Sequence, residues 1–323
     1  MFAGIVVLAA AVVGGEWTDG SVRFETGNDA VNRIVAGELS GIYDSEVVSA
    51  YEQLRHTGKS EQVKRDWQSL HDQVAEASSN RCDRMVTEDE FLGACYWLME
   101  SRMMNEIEQA AFGRVGHMTI FYPKFGMVGL EAGAYIRERF VGADGRLKPP
   151  YRRHVLPSAM AIHLGIVDGA GFLSTAADLK AAIARRTLPS LGAFGWRVVL
   201  DALSQSGMSD VAYGLLIDGA VVDRGAAVSW LWRKAAGIAP DPTNPGFRTV
   251  IMAPKPDRRL GFVRAEYKSP SGVVKSAWRY EGVKWIWNFT VPRSAIAAVT
   301  LPGQDFSRLY DGGDHQIVME GVK

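Results

Sequence analysis

The stretch "GIAPDPTNPGFRTVIMAPKP", residues 237–256, decides how the chain is read. Five of the 13 prolines and two glycines punctuate it, and a strand-like run, Thr249-Val250-Ile251-Met252, lies in its middle. Proline fixes φ and removes a backbone donor, so this density breaks regular structure on both sides. Before it, apolar residues recur with the helical period; after it, they alternate. The stretch is a seam between two differently built halves.

Upstream, "SEQVKRDWQSLHDQVAEASSN" sets Val63, Trp67, Leu70 and Val74 on one helical face behind a capping Ser60. "DSEVVSAYEQLRHTG" puts Val47, Val48, Tyr51 and Leu54 on one side, with Gly58 where a left-handed C-cap belongs. Thr87 and Glu90 form a capping-box pattern ahead of Phe91, Leu98 and Ile107, and the acidic run Glu88-Asp89-Glu90 reads as a first helical turn. Further helices are predicted around 128–140, 178–186, 196–204 and 211–217, with Gly207 ending one and Ser209-Asp210 capping the next. The pattern is one of helical hairpins.

Downstream, "WIWNFTV" turns Trp285, Trp287, Phe289 and Val291 one way and Ile286, Asn288 and Thr290 the other. "VVKSAWRY" opposes Val274, Ser276, Trp278 and Tyr280 to Lys275, Ala277 and Arg279. Strands also fit 262–267 and 297–301, which with Thr249-Val250-Ile251-Met252 suggests about five short strands in an antiparallel β-sandwich. Asn288-Phe289-Thr290 matches a glycosylation acceptor, but a strand interior is a poor place for one.

Lys+Arg and Asp+Glu both total 36, and 47% hydrophobic with 22% charged residues describes an ordinary globular chain. Nothing in that balance points to nucleic acid, and the pairs Arg152-Arg153 and Arg258-Arg259 read as solvated surface. Cys82 and Cys95 give neither a disulfide framework nor ligand spacing, and six dispersed histidines argue against a metal. No cofactor is implied. The apolar "FAGIVVLAAAVVGG" has the length of a signal-peptide core but no Lys or Arg before it, and is short for a membrane span. The expected location is the cytoplasm, with export if this run is a leader.

The order helices, seam, sandwich resembles the bacterial α-L-rhamnosidases of glycoside hydrolase family 78. "WLWRKAAGIAPDPTNPGFRTVIMAPKP", "YKSPSGVVKSAWRY" and "FTVPRSAIAAVTLP" carry the resemblance most specifically. "VVLDALSQSGMSDVAYGLLI", "AYIRERFVGADGRL", "YEQLRHTGKSEQVKRDWQSLHDQV" and "VRFETGNDAVNRI" extend it upstream. It implies an (α/α) toroid-type helical-hairpin domain over 21–236 and a C-terminal antiparallel β-sandwich over 237–323, after an apolar element over 1–20. It also implies a rhamnose-containing glycoside as the partner and hydrolysis with inversion. A six-hairpin toroid needs about twelve helices, well over ~300 residues at ordinary lengths. The helical part is therefore expected to be incomplete, exposing apolar faces unless they are repacked or covered by another copy.

Inversion needs a carboxylic acid and a second carboxylate about 6.5–9.5 Å apart. The family's acid motif is missing from "NRIVAGELSGIYDSEVV", and Leu231 follows Trp230 where the base would stand. Neither carboxylate carries over. Asp223, two residues before Gly225, is the best-placed remaining candidate for the catalytic role. Trp196, after "SLGAFG", and Trp230 are candidates for stacking on a sugar ring. A non-catalytic carbohydrate-binding relative and a structural remnant are the alternatives.

Overall fold

The alternation after Pro256 folds into strands whose two faces differ as sharply as the sequence does. The computed structural model describes residues 22–35, 45–79, 90–112, 125–149, 151–185 and 191–322. The helices are α1 (Asp29–Val35), α2 (Glu46–Thr57), α3 (Glu61–Ser79), α4 (Glu90–Phe112), α5 (Phe125–Phe140), α6 (Val155–His163), α7 (Gly169–Ala184), α8 (Gly192–Gln205), α9 (Ser209–Ile217) and α10 (Arg224–Trp230). The strands are β1 (Val22–Thr26), β2 (Ile238–Pro240), β3 (Thr249–Met252), β4 (Phe262–Ser269), β5 (Gly272–Glu281), β6 (Lys284–Val291), β7 (Ile296–Thr300), β8 (Ser307–Tyr310) and β9 (Gly313–Glu320). The chain divides into two compact units. One holds Met1–Asp44, Glu52–Lys59 and Ser209–Lys323; the other holds Ser45–Tyr51 and Ser60–Met208.

In the first unit, an antiparallel sheet runs β1-β4-β5-β6-β9 and a second sheet runs β2-β3-β7-β8. Trp278 of β5 stands opposite Trp287 of β6, and Val263 of β4 opposite Trp278. Trp278, Trp285, Trp287 and Phe289 are all buried, so one face of β5 and β6 supplies most of this core. The second sheet is not purely antiparallel, because β3 pairs with β7 in parallel. The chain covers β4 to β6 before β7 returns beside β3, and such a long crossover permits the parallel pairing that a hairpin cannot make.

β1 is a further departure from the sequence reading, which assigned this stretch to the helical half. It pairs antiparallel with β4, burying Phe24 and Thr26 while Arg23 and Glu25 face solvent. Asn28 then starts α1, its Oδ1 accepting from the amides of Ala30 (3.0 Å) and Val31 (3.3 Å).

The seam works through a widened helical turn. α10 continues into a π-helix, Leu231–Ala236, which Gly237 ends at φ +77°. A Cβ on Gly237 would lie 2.3 Å from the nitrogen of Pro254, so only glycine fits. The π-turn's carbonyls are used across the unit: Ala235 O accepts from Trp278 Nε1 (2.7 Å) and Ala236 O from Ser276 Oγ (2.6 Å). Ser276 Oγ accepts in turn from Trp287 Nε1 at 3.0 Å. Within the same unit, Arg55 O accepts from the Gly246 amide (2.8 Å) and Arg55 Nη2 donates to Pro240 O (3.1 Å), which fastens the seam.

In the second unit, α4, α6 and α8 form an inner row. α4 packs on α6 and α6 on α8, while α3 and α5 lie against α4 and α7 against α6. Ten of the residues in α8 are buried, whereas α5 and α7 leave Met127, Leu130 and Leu173 exposed. Inner helices apolar on most sides and outer helices apolar on one side are the sequence signature of stacked hairpins. This matches the expected helical-hairpin domain of (α/α) toroid type. α6 escaped the sequence reading because Pro157 looks like a breaker, yet a first-turn proline costs no helical bond. α7 starts nine residues before the predicted 178, its first turn disguised by Gly169 and Gly171.

Candidate functional site

Asp223 lies in the first unit as the N-cap of α10, with Oδ1 accepting from the Ala226 amide at 2.7 Å. The side chain is half-buried and fixed in direction. Its neighbour Arg224 donates to the carbonyls of Arg33 (2.5 Å) and Ile34 (3.3 Å) at the end of α1, which anchors the loop. Trp230 closes the same helix, about two turns from Asp223. Its ring is 0% exposed and meets Tyr213 edge-on, with centroids 4.8 Å apart. Tyr213 in turn donates its hydroxyl to Lys255 O at 2.8 Å, and burial holds its phenol far above the ordinary range. Trp230 therefore presents no face on which a sugar could stack.

Trp196 belongs to the second unit and is 2% exposed on α8. The ring left partly open at this end of the inner row is a different one. Tyr96 of α4 meets Phe194 of α8 at a tilt with centroids 4.6 Å apart, and Tyr96 is only half-buried. The sequence reading missed this pair. Its signal, "GAFGW" beside "ACYW", is visible only when α4 and α8 are neighbours of α6.

The carboxylates of α4 have unusual surroundings. Glu100 is 5% exposed; burial pushes its carboxyl above the ordinary glutamate value, against the opposing effect of the Ser45 hydroxyl that donates to it. Glu106 accepts from the Tyr51 hydroxyl. Glu108 is raised by burial too, with nearby His71 opposing, and His71 Nδ1 lies 3.1 Å from Asp72 Oδ1. Carboxyl groups that hold their protons are what general acids require, but Glu100 is closed to a substrate. Glu90 is the first described residue of α4, and the Thr87 that would cap it lies outside the described residues; Glu90 Oε1 accepts from Arg139 Nε at 2.7 Å, which lowers its carboxyl. Glu88, Asp89, Thr87 and Cys82 lie outside the described residues. Among the described residues, no group of three ligating side chains could hold a metal, and no helix is long and apolar enough to cross a membrane.

Residues 237–315 match the bacterial alpha-L-rhamnosidase C-terminal domain. Over 85% of this chain, the fold superposes on the Streptomyces avermitilis α-L-rhamnosidase complexed with L-rhamnose, with a TM-score of 0.68 at 16% identity. The fold is rhamnosidase-like. Similar agreement holds for the native α-L-rhamnosidase of Aspergillus terreus (TM-score 0.68, 15% identity, 86% of this chain) and that of Dictyoglumus thermophilum (0.66, 13%, 91%). A curated α-L-rhamnosidase of Streptomyces avermitilis is 24% identical over 208 residues, 53% of this chain. This rhamnosidase-like chain covers only part of its relatives' length. It spans 20% of that curated relative and 32%, 39% and 40% of the three solved structures.

Proposed function

We propose that this glycoside hydrolase-like chain recognises terminal α-L-rhamnosides and hydrolyses them with inversion. The observation that carries the reading is the extent of the likeness: 85–91% of the chain follows α-L-rhamnosidase structures, one of them complexed with L-rhamnose. Asp223 is the carboxylate we assign to the reaction, its direction set by the Ala226 amide. Sugar contact falls to the half-buried Tyr96, backed by the buried ring of Phe194, while Trp196 and Trp230 hold α8 and α10 from within their cores. A second copy of the chain is the partner we assign to the exposed Leu130 and Leu173.

One observation favours a second reading, saccharide binding without turnover. Leu231 stands where the resembling enzymes carry their base, and one oxygen of Asp223 is occupied by capping. The deciding experiment measures nitrophenol release from p-nitrophenyl α-L-rhamnoside, with the α-L-arabinoside and β-D-glucoside as controls, beside calorimetric titration with L-rhamnose. Turnover of the rhamnoside alone supports hydrolysis. Saturable binding without turnover supports the second reading. Neither, from protein shown to be folded, sinks both.

A further inference from the structure

Arg153 sits in a backbone conformation that an arginine rarely keeps. Its φ is +69°, in the left-handed region where a Cβ is strained, while its side chain is 70% exposed. Two contacts hold it there: its carbonyl accepts from Arg185 Nη2 at 2.8 Å, and its Nε lies 3.8 Å from Asp178 Oδ1. Asp178 is already engaged by Arg146, whose Nη2 donates to Oδ2 at 2.5 Å. One carboxylate thus faces two guanidiniums. Arg185 is oriented by a carbonyl, which directs a guanidinium without neutralising it. Lys148 is held the same way, by the carbonyls of Glu138 (3.0 Å) and Arg139 (2.9 Å). Residues 137–153 carry six Lys or Arg against two carboxylates, in a chain of zero net charge.

The geometry points to an anion-binding site at Arg153 and Arg185 that takes a carboxylate-bearing saccharide. Guanidinium forks match carboxylates in a bidentate manner, and the Arg185 fork, held on the Arg153 backbone, joins the exposed Arg153 side chain on one surface that suits one or two acidic sugar residues. A nucleic acid needs a longer run of cations, and Asp144 and Asp178 interrupt this one. The choice of a saccharide rests on the proposed glycoside function; the anion site itself does not.

The test is titration of the full chain with a galacturonate oligosaccharide, a neutral glucose oligosaccharide and a short DNA duplex. Arg153→Gly and Arg185→Gln are the variants. Glycine relieves the left-handed strain, so the first should melt no lower than the parent. Each variant is expected to weaken galacturonate binding at least fivefold, added salt to weaken it further, and the neutral oligosaccharide not to bind. Unchanged galacturonate binding in both variants overturns the site, and tighter binding of the duplex overturns the saccharide. Rhamnoside turnover without galacturonate binding rejects this inference alone. Galacturonate binding without rhamnoside turnover or binding rejects the proposed function alone.

Discussion

The indole nitrogen of Trp278 donates to the carbonyl oxygen of Ala235 at 2.7 Å, joining strand β5 to the π-helical turn that follows α10. Both groups are buried, so neither can turn to water. Trp278→Phe keeps most of the ring but leaves that carbonyl without its donor. A buried polar group stripped of its partner costs about 1–3 kcal/mol. Urea unfolding should show that loss. Ser276→Ala should cost more, since Ser276 both donates to Ala236 O and accepts from Trp287 Nε1. An unchanged midpoint for Trp278→Phe would mean that the bond contributes nothing.

Gly171→Ala tests how the loop after α5 seats against α7. A Cβ at 171 would lie 2.1 Å from the carbonyl oxygen of Gly145 and 2.8 Å from its carbon. Both atoms are backbone, and no side chain can swing aside. Overpacking of this kind costs about 1–3 kcal/mol or more. The melting temperature should fall clearly, and an unchanged value would contradict the packing described.

The fold was legible wherever one period ran long enough. β5 and β6 alternate over whole strands, and α3 keeps Val63, Leu70 and Val74 buried as their spacing demands. β1 was not legible, because five residues beside a helix carry too little alternation, and its partner β4 lies more than 230 positions away. The site was harder to read than the fold. Trp196 and Trp230 were placed by their closeness to loops, yet large aromatic rings near helix ends can still serve the core, as both do here. Tyr96 and Phe194 meet only in three dimensions. Asp223 stands out in the sequence only by its place before Gly225; its role as a cap depends on where α10 starts, which the Gly225-Ala226 sequence leaves open.

Asp223 can be tested so that capping and chemistry separate. Asparagine caps a helix as well as aspartate, whereas alanine costs about 1 kcal/mol at an N-cap. Asp223→Asn should therefore leave stability unchanged and abolish turnover of p-nitrophenyl α-L-rhamnoside. Asp223→Ala should lower both. Equal turnover in Asp223→Asn and the parent would remove Asp223 from the reaction and leave it a cap alone.

Glu100 predicts a pH dependence of stability. Burial raises its carboxyl above the ordinary 4.5, more than the Ser45 hydroxyl lowers it. The folded chain then binds this proton more tightly than the unfolded chain does. The group's contribution is fully present below 4.5 and is lost as pH rises through the folded value, because ionisation leaves a buried charge. Glu108 is shifted in the same direction. Glu100→Gln keeps an acceptor for Ser45 but cannot ionise. Its urea midpoint should decline less than the parent's from acid to neutral pH, and at neutral pH it should be the more stable protein. The remaining decline should shrink again when Glu108→Gln is added. Parallel curves for parent and Glu100→Gln would show that Glu100 binds its proton no more tightly in the folded chain than in the unfolded one.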